Sequence, residues 1–122
     1  MFISRDKEYF LNAILSGINI HLFQNDLSPK KYTLISEYEE LNIKGYYPIT
    51  LDYGDLNFKD NYMSIEKTFD IDRQTRIYGY YLTVGGNLLG GERFTKAPYK
   101  IYVAGSLELR IKVYLNVKWR KK

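Results

Sequence analysis

Arg76 to Phe94 reads RIYGYYLTVGGNLLGGERF. In its first arm Tyr78, Tyr80, Leu82 and Val84 recur at every second position, which places them on one face of a strand. Gly85-Gly86-Asn87 then brings residues that take positive φ at low cost, as a hairpin reversal requires. Leu88 and Leu89 restart the apolar pattern, and Glu92 to Phe94 carries it out. Gly79 sits inside the first arm, where glycine weakens a strand. It predicts a bulge, or a point where an aromatic ring or a second backbone comes close. Gly90-Gly91 predicts the same in the second arm. The stretch is a hairpin, and it carries no chemistry.

Downstream, Ala97-Pro98 breaks the pattern and Ile101 to Val103 reads as a short strand. From Leu107 the odd positions run Leu, Leu, Ile, Val, Leu, Val, Trp, ending at Trp119, while the even positions are mostly charged or polar. Such alternation, extending roughly 44 Å at the usual rise, predicts a long strand with one buried and one wet face. Upstream, Met63, Ile65, Phe69 and Ile71 mark another strand, interrupted on its inner face by Lys67. Tyr47, Ile49, Leu51 and Tyr53 alternate through a shorter one, which Pro48 assigns to a sheet edge. Ile18, Ile20 and Leu22 alternate with Asn19, His21 and Phe23 in a half-buried strand. Gln24 to Lys31 reads as loop, and most of Tyr32 to Leu41 with it.

One helix is expected, at about residues 5–16. Ser4 is a fair N-cap, Asp6 and Glu8 suit the first turn, Phe10, Ala13 and Ile14 share a face, and Gly17 ends it. The fold class is therefore all-β: a single antiparallel β-sandwich or jelly-roll-like domain over residues 1–122 with one short N-terminal helix. Its core should include Tyr80, Leu82, Leu109, Ile111 and Val113.

Composition bounds the function. With 122 residues, 45% of them apolar, the chain makes one domain with a real core. Thirteen tyrosines against one tryptophan suit strands, and also surfaces where a ring packs and its hydroxyl stays wet. No cysteine is present, which excludes disulfides and thiolate metal sites. No run reaches a membrane span, and MFISRDKEYF meets charge too early for a signal peptide, so a soluble protein made in the cytoplasm is expected. The net charge of +4 gathers in the basic tail 118–122. Such a tail is commonly a solvated end, and its other use is contact with nucleic acid or an acidic protein surface.

Catalytic chemistry is not visible. His21 is the single histidine and cannot form a histidine cluster for a metal, so a structural or surface role is expected. Glu39-Glu40 and Asp70 with Asp72 are carboxylate pairs of the kind any chain this size contains. GGNLLGG lacks the helix and the Gly-Lys-Ser/Thr ending of a phosphate loop. No catalytic, cofactor or metal residues are assigned, and no enzyme is expected.

The order of features does carry a resemblance. It comprises a short helix, INIHLFQND, Ser28-Pro29, Gly45-Tyr46, Ile77 to Thr83, Leu88-Leu89, Glu92-Arg93-Phe94 and a long last strand. This order resembles a family of small virion structural proteins of tailed bacteriophages, over most of the chain. Gly90-Gly91 stands where that family carries a tryptophan and a small residue. The resemblance implies a virion structural protein: an auxiliary or decoration protein that binds and stabilises the major capsid protein lattice. Its partners would be the major capsid protein, other virion proteins and further copies of itself, with no membrane, no nucleic acid and no cofactor. It would be made in the host cytoplasm and reside on the capsid surface. Expected contact residues are Phe2, Ile3, Phe10, Ile14, Trp119, Arg120, Lys121 and Lys122. Two other readings predict different partners: a tail adaptor, fibre or receptor- and glycan-binding domain, or a small nucleic-acid-binding domain acting through the basic tail.

Overall fold

The structure, a computed structural model, describes residues 5–116. Its helix, α1 (Lys7–Ser16), starts at Asp6, whose carboxylate accepts the Tyr9 backbone N–H at 2.9 Å. Gly17, at φ 91°, ends it and donates its N–H to the Ile14 carbonyl. Asp6 is thus the cap, and the expected cap Ser4 lies outside the described residues.

Nine strands follow among the described residues: β1 (Ile18–Phe23), β2 (Ile49–Thr50), β3 (Asn57–Phe58), β4 (Tyr62–Ile71), β5 (Thr75–Ile77), β6 (Gly79–Val84), β7 (Asn87–Arg93), β8 (Tyr99–Ile101) and β9 (Gly105–Tyr114). They pair antiparallel as a four-stranded sheet β2-β1-β6-β7, a three-stranded sheet β3-β4-β9 and a ribbon β5-β8. One hydrophobic cluster takes Ile18, Ile20, Leu22, Leu82 and Leu89 from the first sheet and Met63, Ile65, Phe69, Leu109, Ile111 and Val113 from the second. The domain is an all-β sandwich, and each such buried side chain contributes about 1.5–3 kcal/mol. Tyr80 and the helix residues Phe10 and Ala13 join that core.

Lys67 keeps its inward position on β4 because it reaches the Asp55 carboxylate at 2.7 Å. Burial raises the Asp55 pKa, but the Lys67 ammonium and the Asp52 N–H outweigh it and hold the carboxyl below its ordinary range.

The expected elements shift in four places. Tyr78 leaves the face of Tyr80 and Leu82 and packs with Phe23, Tyr38 and Tyr81 instead, since Gly79 begins β6 and residue 78 lies outside it. The Tyr47–Tyr53 alternation yields only two strand residues; Leu51 is buried but Tyr47 and Tyr53 are exposed. The strand expected at Ile101–Val103 lies at Tyr99–Ile101, after a cis Ala97–Pro98 bond, and Val103 is exposed. Strand β9 starts earlier than expected, at Gly105, and pairs through Tyr114; Trp119 lies outside the described residues.

The hairpin glycines act as expected. A Cβ on Gly79 would lie 2.1 Å from the Glu92 carbonyl oxygen and 2.6 Å from the Phe23 ring. On Gly91 it would lie 2.6 Å from the Tyr38 hydroxyl. The bulge sits beyond Gly91, toward the turn: Leu82 opposes Gly90 and Thr83 opposes Leu88, so Leu89 is the extra residue and turns into the core.

Candidate functional site

The outer face of the four-stranded sheet is crossed by residues 24–46, a strap without regular strands. Period two sends Ile18, Ile20 and Leu22 inward, so His21 and Phe23 point outward, together with Tyr81 and Thr83 of β6. The strap lies on these side chains. Glu40 bridges antiparallel to Phe23, the Leu41 N–H bonds the Leu22 carbonyl, and the Gln24 N–H bonds the Glu39 carbonyl, both at 2.8 Å. Asn25 brackets the same turn, donating to the Glu37 carbonyl and accepting from the Glu39 N–H at 2.9 Å each. Arg93 of β7 ties the strap's far side through Asp26 and lies over the Tyr78 ring.

At the centre is a polar relay. His21 Nδ1 lies 2.8 Å from Glu40 Oε2, and His21 Nε2 lies 2.8 Å from Thr83 Oγ1. The Tyr46 hydroxyl donates to the same Glu40 oxygen at 2.8 Å and accepts the Leu22 N–H at 2.9 Å. Tyr46 therefore completes the edge of β1 where the two-residue β2 stops short. The His21 ring stacks on Tyr81 at 4.6 Å, Tyr81 on Tyr38 at 4.5 Å, and Tyr38 meets Phe23 edge-on at 5.3 Å. Burial pushes the Tyr38 phenol up to about 12, with Glu37 adding to it. Burial also raises Tyr81, with Glu40 adding, and raises Tyr46 against the pull of the Leu22 N–H.

Hydroxyl, imidazole and carboxylate here have the connectivity of a hydrolase triad. Access decides what it does. Thr83 is 3% exposed, and its hydroxyl is turned to His21 and away from solvent. The relay fastens the strap to the sheet.

What the strap leaves open is a groove of about 380 Å³ between itself and β7. Lys30, Lys31, Tyr32, Thr33, Leu34 and Ile35 form one wall, with Leu88, Leu89 and Gly90 opposite and Tyr38 between. Tyr32 is 84% exposed and Leu34 65%, with Ile35 also exposed beside them. Glu37 shapes this wall by accepting the Leu34 N–H at the start of a 3₁₀ turn. Tyr32, Leu34 and Ile35 thus make an exposed apolar patch beside Lys30 and Lys31 at the rim of the groove.

Of the expected contact residues, Phe10 and Ile14 are among the described ones. Phe10 is completely buried in the core and offers no surface to a neighbour, a correction that follows from its place facing the sheets. Ile14 is half-buried against the same core. Phe2, Ile3, Trp119, Arg120, Lys121 and Lys122 lie outside the described residues. The sequence did not single out Tyr32, Leu34 and Ile35 as contact residues, because residues 32–41 sustain no helical or strand period and their one regular element, a 3₁₀ turn, spans only Ile35–Glu37. Among the described residues, no group of three or more His, Asp or Glu is placed to hold a metal, and no helix is long and apolar enough to cross a membrane.

Comparison with protein-family models, with curated proteins and with solved structures finds no match.

Proposed function

We propose that this protein is a non-catalytic structural component that works by protein–protein contact, in the setting of a tailed-bacteriophage particle. There it is an auxiliary or decoration protein bound to the major capsid protein lattice. The observation that carries the contact role is the groove between the strap and β7, with Tyr32 and Leu34 held exposed at its rim. The virion setting is supported by the order of features along the sequence, from the short helix through the glycine-rich hairpin to the long last strand. A decoration protein stabilises a shell by linkage, because it binds the assembled lattice and not its dispersed subunits. A rigid sandwich suits that task, since little ordering entropy is lost when it docks.

The test is co-sedimentation of the purified chain with capsids of the phage that encodes it, prepared without it. Stoichiometric binding is expected, and Tyr32→Ser combined with Leu34→Ser should abolish it without loss of folding, because both side chains are exposed. Binding to isolated tails or host cells and not to capsids would overturn the decoration reading and support the adaptor or receptor-binding one. Capsid binding unaffected by the double variant would move the contact away from the groove.

A further inference from the structure

Charged residues on the long β4-β9 ladder face an opposite charge or a neutral side chain. Glu66 stands opposite Arg110, Ser64 opposite Lys112, Thr68 opposite Glu108 and Asp70 opposite Ser106. The ribbon β5-β8 differs. There Arg76 faces Lys100, the one like-charged pair among the described ladders. Directly opposed like charges destabilise a strand pair. Carboxylates are not scarce, since residues 5–116 hold as many Asp and Glu as Lys and Arg. Yet among the described residues no carboxylate pairs with Arg76 or Lys100.

Period two sends Ile77 and Ile101 into the core and leaves Arg76 and Lys100 on the outer side of the ribbon. With Gln74, Thr75, Ile101 and Tyr102 they line an open hollow of about 290 Å³. Its position is fixed at the Gly105 end of β9. The Tyr99 hydroxyl donates to the Ser106 carbonyl at 3.0 Å, and a Cβ on Gly105 would lie 3.8 Å from the Ile101 side chain. Residues 1–4 and 117–122 adjoin Arg5 and Asn116 at the opposite end, about 30 Å along the ten residues of β9. Fully extended, four and six residues span at most roughly 14 and 22 Å, so neither segment reaches the two cations. Tyr102 and Val103 stand exposed in the turn beside them.

We infer that this hollow binds an acidic segment of a partner protein, with its carboxylates on Arg76 and Lys100 and an adjoining apolar residue against Tyr102 and Val103. Facing side chains of an antiparallel pair start about 5 Å apart, so both cations serve one carboxylate or two adjacent ones. The Arg76 guanidinium takes a carboxylate in a two-pronged grip and the Lys100 ammonium adds a point charge. A bound carboxylate also relieves the repulsion that the free ribbon carries. The neighbouring groups favour a protein over a nucleic acid. Tyrosine and arginine are the side chains enriched at protein interfaces, and Val103 adds apolar surface. A phosphate backbone wants a continuous run of cations, whereas the chain enters this ribbon through the exposed carboxylates of Asp70 and Asp72. The hollow shares no residue with the strap groove, and the inference does not rest on the virion reading.

The experiment is an NMR titration of the isotope-labelled full chain with acetyl-Leu-Glu-Glu-Leu-amide. Acetyl-Leu-Gln-Gln-Leu-amide and oligothymidylate serve as comparisons. The glutamate peptide is expected to shift the amide signals of Arg76, Lys100 and Tyr102, and the glutamine peptide to leave them in place. Added salt should weaken the binding. Arg76→Gln should weaken it about tenfold or more. Lys100→Glu should abolish it and also raise the thermal midpoint, because it turns a repulsive facing pair into an attractive one. Three results overturn the inference: no shift at the ribbon with millimolar glutamate peptide, equal shifts with the glutamine peptide, or a ribbon that takes oligothymidylate in preference. A lowered midpoint for Lys100→Glu overturns it too, since the two cations would then not oppose each other in the free protein. So does peptide binding that survives Lys100→Glu and is lost on removal of residues 118–122, which would assign the acidic partner to the basic tail.

Discussion

On the four-stranded sheet the outer face carries His21, Phe23, Tyr81 and Thr83 beneath a strap; on the three-stranded sheet it carries Glu66, Glu108, Arg110 and Lys112 in the open. Both faces come from the same period-two alternation. They differ in what lies across them. The covered face is a second packed layer, where side-chain volume and hydrogen-bond partners are specified. On the open face Lys112 rests on the Tyr62 ring at 4.1 Å and Glu66 pairs with Arg110, both reachable by water. A substitution should therefore be felt on the first face and tolerated on the second.

The largest effect is expected at Gly79. Valine there would force its side chain into the Glu92 carbonyl and the Phe23 ring, destabilising by about 3 kcal/mol or more in urea unfolding. If Gly79→Val unfolds at the wild-type midpoint, the Phe23 ring and the Glu92 carbonyl do not close over Gly79 as described. Next is Tyr46→Phe, which leaves the Leu22 N–H without its acceptor and Glu40 with His21 alone on that oxygen, at about 2 kcal/mol. Loss of amide-exchange protection at Leu22 would localise that effect to the edge of β1.

Two pH limits sharpen the contrast further. Tyr38, with its phenol raised to about 12, and the raised Tyr46, Tyr80 and Tyr81 favour the folded state while protonated. That stability is fully present below the unfolded phenol pKa near 10 and is lost as pH rises toward 12 and beyond, because the unfolded chain ionises first. Tyr38→Phe should flatten part of this alkaline limb. Asp55 has the opposite sign: its depressed carboxyl contributes stability above the unfolded value of about 3.9, lost as pH falls through the folded one. Asp55→Asn should make the acid limb shallower in thermal melts at stepped pH. The smallest change is expected on the open face, where Glu66→Gln should alter stability by less than about 0.5 kcal/mol. A larger loss would mean that the open face is covered after all.

The strands were legible wherever one face is apolar over several residues. β4, β6 and β9 read plainly, and even Lys67 appeared as an interruption whose partner the sequence left unnamed. Gly79 and Gly91 were legible as close approaches, since a glycine weakens the strand that holds it unless a neighbour needs the space of its missing side chain. The strap was not. Tyr32 to Leu41 has no sustained period, and its conformation comes from bonds to residues far along the chain, such as Asn25 to Glu37 and Glu40 to His21. Phe10 was legible as apolar, yet no pattern separates a helix face turned to its own core from one turned to a partner.

By itself the sequence determined the alternation, the helix and its glycine stop, the tight reversal at Gly85-Gly86 and the absence of thiol chemistry, because each depends on neighbours along the chain. Tertiary structure alone decided that His21, Glu40, Tyr46 and Thr83 meet, that Tyr32 and Leu34 stand outward at a groove, and that β9 pairs with β4 along its whole length. These depend on which strand lies beside which. Side-chain alternation says which residues face inward, but it is blind to the direction within the sheet, where backbone groups choose their partners.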